Sequence, residues 1–313
     1  MPGASLIGAV DIGGTKIAVA AVRFNGTIAA SRACPTAPAR GPEDALRLIV
    51  DLLRQSFNEA GGLLAGVGVG CTGPVDPETG IIGNVDLLPG WSGFPFTSRL
   101  SDALNVPVAM ENDADAAALA EAYSGSSQRL IYLTVGTGIG AGMVFDGRLY
   151  RGAGGSHPEA GHMTIDASGP ACYCGATGCW ESLASGRAME KWAESNAGPS
   201  DRMTHPFTAR TICDLAKNGH PFALMVVQRE AHYLGIGIAN LISAFCPDRI
   251  ALGGGVMQSI ELFLPEIMDT VSRCCGLVPF ERTVIAKAGL GGKTALLGAA
   301  RVLQHRIPEL WKA

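Results

Sequence analysis

Apolar positions recur along the chain with two periods, and the switches between them outline the elements. Residues 5–35, SLIGAVDIGGTKIAVAAVRFNGTIAASRACP, alternate strand-like runs with glycine turns and predict a three-stranded meander. In PEDALRLIVDLLRQSFNEAG (42–61) the residues Leu46, Ile49, Val50, Leu53 and Phe57 fall at helical spacing, with a stop at Gly61 and Gly62. GVGVGC (66–71) and PVAMEND (107–113) read as short buried strands, and ADAAALAEAYSG (114–125) as the helix after the second. A similar order restarts at RLIYLTVGTGIGAGMVFDGRLYRG (129–152): strand, glycine turn, strand, DG turn, strand. Helices are expected near 183–195, 207–217 and 221–246, then a glycine-ended strand in RIALGGGV (249–256) and a helix over IELFLPEIMDTVSRCC (260–275). The strand TVIAKA (283–288) and the helix TALLGAARVLQHRI (294–307) close the pattern. The chain therefore reads as α/β and doubled, with a glycine turn early in each half.

Composition narrows the function. With 313 residues, 47% hydrophobic and 17% charged, the chain can bury a sizeable core in two domains or one large one. Its longest apolar runs, such as LGIGIANLISAF (234–245), are too short to span a bilayer. The start MPGASLIGAVDIGG has neither a basic region nor a small-residue cleavage site, so the cytoplasm is the expected compartment. A net charge of −4, spread without blocks or basic stripes, argues against nonspecific nucleic-acid binding and suits a protein that handles small molecules.

Nine cysteines is an odd count, and a chain of this size needs no disulfide staples. Six are scattered in or beside apolar stretches, where free cysteine serves as a small core residue. The other three, Cys172, Cys174 and Cys179, form C-x-C-x4-C on a glycine-rich turn, with His162 upstream. One short loop thus offers four ligands of the kind that close a tetrahedral, structural zinc site, and glycines 175 and 178 let it curl.

The turns DIGGTK (11–16) and LTVGTGIG (133–140) both lie between strands, where bare backbone N–H groups can approach phosphate oxygens. Thr15, Thr134 and Thr137 add hydroxyls there, and GGG (253–255) would let a nucleoside come close. Two such turns in matching halves imply a nucleotide in a cleft between two domains. GLGGKT (289–294) imitates a phosphate loop, but Lys287 stands where that motif needs its first glycine, so a tight turn into the last helix is expected. Asp113, where a strand ends and a helix begins, is either an N-cap or a general base for a hydroxyl that attacks a γ-phosphate, with Asn112 beside it as a hydroxyl ligand. Glu159, His162 and Glu181 flank the cysteine loop and suit hydrogen bonding to vicinal hydroxyls.

In order and spacing along nearly the whole chain, DIGGTK, TGPVDPETG (72–80), END (111–113), LTVGTGIG, HPEAGH (157–162) and CYCGATGCWE (172–181) resemble the ROK family of repressors, open-reading-frame proteins and sugar kinases. The resemblance implies an actin-like ATPase fold, two RNase H-like domains around a cleft. The expected limits are 1–118 for a small N-terminal domain, onto which a last helix of about 294–313 packs back, and 119–293 for a larger domain with the zinc loop. It also implies a kinase that uses ATP and Mg²⁺, commonly a homodimer; the spread charge and the short apolar runs leave no nucleic-acid or membrane partner expected. Carried over by motif, Asp113 is the catalytic base, and Gly73, Asn112, Asp113, Glu159, His162 and Glu181 contact the sugar. Asp11 reaches magnesium through water; Asp11, Gly13, Gly14, Thr15 and Lys16 with Thr134, Gly136, Thr137, Gly138, Gly140 and Gly254 hold the nucleotide. His162, Cys172, Cys174 and Cys179 hold zinc. HPEAGH resembles the fructokinase branch and CYCGATGCWE the glucokinase and N-acetylhexosamine kinase branches, so glucose is favoured while fructose, N-acetylmannosamine and N-acetylglucosamine stay open. The family's repressors carry a helix-turn-helix ahead of the first phosphate turn. With ten residues before Asp11, a kinase is expected over a repressor or a noncatalytic sugar binder.

Overall fold

Alternation in GVGVGC predicts one face of valines and one of bare backbone, and the computed structural model uses both. It describes residues 5–36, 41–83, 87–125, 127–198, 201 and 206–311. Two compact units form, Met1–Ser126 with Leu290–Ala313, and Ser127–Gly289.

In the first unit β1 (Ser5–Ile12), β2 (Lys16–Val22) and β3 (Ile28–Pro35) make the antiparallel meander. The helix α1 (Gly41–Ala60) buries Leu46, Ile49, Val50, Leu53 and Phe57 and ends before Gly61, whose positive φ of 67° breaks it. β4 (Leu63–Cys71) runs parallel to β1. The turn-rich insert that follows holds a two-residue ribbon, β5 (Val75–Asp76) with β6 (Ile81–Ile82), and the helix α2 (Phe96–Leu104). β7 (Val108–Asn112) then pairs parallel with β4, and α3 (Asp113–Gly125) starts at the next residue. The sheet order is β3-β2-β1-β4-β7.

The second unit repeats that order. β8 (Arg129–Val135), β9 (Ile139–Phe145) and β10 (Arg148–Leu149) form the meander, while β11 (Arg249–Gly253) and β12 (Val284–Lys287) add in parallel to give β10-β9-β8-β11-β12. Between the meander and β11 lie α4 (Trp180–Ala184), α5 (Gly186–Asn196), α6 (Ala209–Lys217) and α7 (Pro221–Phe245). Trp180 is fully buried against Gly237 of α7, where a Cβ would stand 2.0 Å from the indole. The expected helix 183–195 starts later, because Ser185 leaves helical geometry and its hydroxyl caps α5 by accepting from Ala188 N at 3.2 Å. The expected helix 260–275 is also divided. A 3₁₀ stretch covers Val256–Leu262 and α8 spans Leu264–Cys274, since Pro265 suits the first turn of a helix and no later position.

The chain then returns to the first unit as α9 (Thr294–Arg306). Here the bare face of β4 is used: a Cβ on Gly68 would lie 1.8 Å from Ala299 O, and one on Gly298 2.4 Å from Ala116 O of α3. Backbone meets backbone at both places, which only glycine permits. α3 runs unbroken through residue 118, so the division between units falls after it, near 126, rather than at 118. Residues 312–313 of the expected last helix lie outside the described residues. Among the described residues no helix is long and apolar enough to cross a membrane.

Candidate functional site

Parallel strands of an α/β sheet present their carboxyl ends to ligands. In the first unit those ends are level, with Ile12 opposite Cys71 and Cys71 opposite Asn112. Asp11, Gly73, Asn112 and Asp113 are thereby gathered at one sheet edge. Asn112 donates from Nδ2 to Gly73 O at 3.1 Å and accepts from Ala114 N at 2.9 Å, so this side chain caps α3 and ties the TGP turn to it. Asp113, the first residue of α3, accepts from the same N–H at 2.8 Å. Burial and then the Asp113 carboxylate push Asp11 up to about 7, against the opposing pull of Lys16. The buried Cys71 thiol is pushed well up, by burial first and then by Asp113 and Asp11. Two carboxylates therefore face one small volume, an arrangement that a cation relieves.

The DIGGTK turn lies at the same edge. Gly13 N donates to Lys16 O at 2.9 Å, and Thr36, from beyond β3, donates its hydroxyl to Gly13 O at 2.6 Å and its N–H to Thr15 O at 3.1 Å. Gly14 faces Leu87, while Thr15 and Lys16 are exposed. Thr36 was not among the expected residues; a lone threonine after a strand carries no motif.

The second unit has the matching edge. Gly253 stands opposite Thr134, and Thr134 opposite Gly140, so the 135–139 turn and the GGG run end together. Gly136 N donates to Gly138 O at 2.9 Å, and Gly186 N at the start of α5 donates to Gly136 O at 2.7 Å. Ile139 N donates to Glu181 Oε2 at 2.8 Å. A Cβ on Gly138 would come within 2.2 Å of that oxygen, whereas one on Gly136 would meet nothing within 4 Å. Gly138 thus makes room for Glu181, and Gly136 and the exposed Thr137 are the open part of the turn. Gly254 has φ +90° and would set a Cβ 2.4 Å from Val135 O, so close approach of the chain to itself already requires glycine there.

His162, Cys172, Cys174 and Cys179 come together with their ligand atoms all within 4.8 Å of one another. The loop is curled by Gly175 and Gly178, at φ 93° and 70°. His162 Nδ1 lies 3.6 Å from Cys172 Sγ, and Cys174 Sγ 3.6 Å from Cys179 Sγ, too far for a disulfide. Tetrahedral zinc with Zn–S of ~2.3 Å and Zn–N of ~2.0 Å would set such atoms roughly 3.5–3.8 Å apart. The donor set fits that ion in number, softness and spacing. The Ala176 N–H, first among several causes, lowers the Cys174 thiol to about 7, toward the thiolate that a metal binds. His162 turns its other nitrogen away from the sulfurs, Nε2 lying 3.0 Å from Tyr173 Oη. Glu159 is exposed just ahead of the 3₁₀ turn that carries His162.

The GLGGKT turn is spent internally: Leu290 N at 3.0 Å and Thr294 Oγ1 at 3.3 Å both donate to the buried Glu121 carboxylate of α3. A site that already binds a carboxylate has no place for phosphate. Another residue outside every motif is Arg306, whose guanidinium donates to Glu111 at 2.7 Å and to Glu78 at 2.6 Å. Glu111 is 1% exposed and precedes Asn112, while Glu78 lies in the TGPVDPETG segment, so the end of α9 braces two parts of the first sheet edge.

Comparison with known proteins places this geometry. The ROK family profile matches residues 7–306. A glucokinase of Thermotoga maritima is 32% identical over 98% of this chain and 99% of its own length. A xylose repressor of Caldicellulosiruptor bescii is 32% identical over 94% of this chain and 76% of its own. The crystal structure of a ROK family glucokinase from Streptomyces griseus, in complex with glucose and AMPPNP, superposes with a TM-score of 0.81 at 32% identity, over 95% of this chain and 98% of that one. The two repeated sheets are those of the actin-like ATPase fold, and with the match running through both of them this chain belongs to the ROK family.

Proposed function

We propose that the protein is an ATP-dependent sugar kinase that phosphorylates a hexose hydroxyl, with glucose at O6 as the favoured acceptor. The observation that carries this reading is the pair of carboxylates, Asp11 and Asp113, at the level ends of β1 and β7, with Asn112 and Gly73 joined beside them. Asp113 takes the proton of the attacking hydroxyl, and the sugar is held by Gly73, Asn112, Glu159, His162 and Glu181. The DIGGTK turn and the open part of the 135–139 turn hold the phosphates, while Asp11 orients a hydrated cation. Mg²⁺ bound with ATP would neutralise charge on the transferring phosphoryl group. Zinc on His162, Cys172, Cys174 and Cys179 would be structural, since four protein donors leave no open position.

An ADP-release assay across glucose, fructose, mannose, N-acetylglucosamine and N-acetylmannosamine tests the reading. The highest kcat/KM is expected for glucose; another best sugar would replace the acceptor and keep the kinase, and no turnover with any would remove the kinase. The second reading, a sugar-responsive regulator, is favoured by the xylose repressor relative. It predicts sugar binding without turnover.

Nucleotide use is tested at Gly136 rather than Gly138, because a side chain at Gly138 would displace Glu181. Gly136→Val has room in the fold, so a folded protein with ATP affinity lowered by at least about tenfold and glucose affinity retained is expected. Unchanged ATP affinity by calorimetry would count against this turn as the phosphate cradle.

A further inference from the structure

Turns of equal length close the first hairpin of each unit, residues 13–15 between β1 and β2 and residues 136–138 between β8 and β9. In both, the carbonyl of the first glycine is taken by a donor from outside the hairpin. Gly186 N, at the start of α5, reaches Gly136 O at 2.7 Å, and the Thr36 hydroxyl reaches Gly13 O at 2.6 Å. Backbone supplies that donor in the second unit, whereas the first unit relies on a side chain. Thr36 is 4% exposed, and its own N–H donates to Thr15 O at 3.1 Å, so its place against the turn is fixed.

The direction of these carbonyls decides what each turn presents. A trans peptide is planar, with its C=O and the following N–H pointing opposite ways. Gly13 O turned to Thr36 therefore sends the Gly14 N–H away from that buried residue, and Gly136 O turned to α5 does the same for the Thr137 N–H. Neither N–H has an acceptor among the described residues. The peptide between Gly13 and Gly14 is flanked by two residues without a Cβ, so steric resistance to its rotation is small. Rotated by half a turn, it would offer a carbonyl oxygen, which repels phosphate, in place of the N–H that attracts it.

We propose that Thr36 is a positioning residue for the nucleotide phosphates, its hydroxyl holding the Gly13 carbonyl inward and so keeping the Gly14 N–H available to a phosphate oxygen. The inference rests on the sugar-kinase reading above and extends its phosphate turn to a residue that lies outside every motif. Thr36 itself touches no phosphate; it acts through the orientation of one peptide.

The test compares Thr36→Val, which keeps the volume and the branched Cβ but lacks the hydroxyl, with Thr36→Ser, which keeps the hydroxyl. Melting temperature and the affinities for ATP and glucose by calorimetry would be measured on the full-length protein. In the valine variant ATP is expected to bind about tenfold more weakly, with glucose affinity within about twofold of the parent. Its melting temperature should stay within about 4 °C, the scale of one lost hydrogen bond. The serine variant should bind ATP within about threefold of the parent. Unchanged ATP affinity in the valine variant would overturn the proposal. So would an equal loss in both variants, which would trace the effect to the methyl group rather than the hydroxyl. A valine variant that fails to fold, or that loses ATP and glucose affinity in parallel, would overturn it too, by showing a purely structural role. Failure of the sugar-kinase reading appears in the parent protein, as ATP binding without turnover of any sugar; failure of the positioning role appears only in the comparison of variants. A parent that binds no ATP would overturn both.

Discussion

Asp113→Asn is expected to lower kcat by at least about a hundredfold while leaving fold and sugar affinity near those of the parent. Removal of a general base costs ~10²–10⁴-fold, and asparagine keeps a side-chain oxygen for Ala114 N. That N–H is also accepted by Asn112, so α3 keeps its cap whichever residue stands at 113. Loss of the Asp113 charge also removes one cause of the raised Asp11, which should titrate below about 7 in the variant. The melting temperature is therefore expected to hold or rise. A kcat within about threefold of the parent, measured where chemistry limits turnover, would reduce Asp113 to a helix-terminal residue.

Metal removal is expected to have the second large effect. Purified protein should carry about one zinc per chain, and Cys174→Ser should lose most of it, melt lower and show a sugar KM raised by about tenfold or more. The cause lies in how little else holds the loop: beyond isolated bridges at Thr164–Cys179 and Ala171–Thr177, it is tied by a few backbone hydrogen bonds such as Cys172 N to Ala176 O at 2.8 Å. Of the four ligands only Cys179 is buried. His162 and Tyr173 are carried by the same loop, so its loosening reaches the proposed sugar contacts. Less than half an equivalent of zinc alongside full activity would contradict the assignment.

Much of this was legible in the residues because the signals were local. The meander of 5–35, the amphipathic spacing of α1 and the C-x-C-x4-C loop each encode their own geometry within a few residues. The doubling was legible as a repeated order of elements, and the two sheets share one strand order. What escaped was set by partners far away in sequence. Thr36 acquires its role by reaching back to Gly13, and Arg306 by reaching Glu111 and Glu78. Gly138 reads as a phosphate glycine, but the carboxylate it accommodates is Glu181, 43 residues on. The split of 260–275 was available in principle, since Pro265 inside an apolar run marks a helix start.

The close fit of α9 against β4 has a consequence for how the protein is made. The first unit is not continuous: its sheet is ready once Asn112 has been added, but the helix that presses on Gly68 comes after the whole of Ser127–Gly289. At ~5–20 residues per second, the ribosome takes on the order of ten to thirty seconds to synthesise that stretch. During that time α3 can lie against Gly70, but Gly66 and Gly68 on the same face of β4 lack the α9 residues that cover them. The second unit, unbroken in sequence, is therefore the first to have all of its residues, and the unit that begins the chain is the last that can be completed.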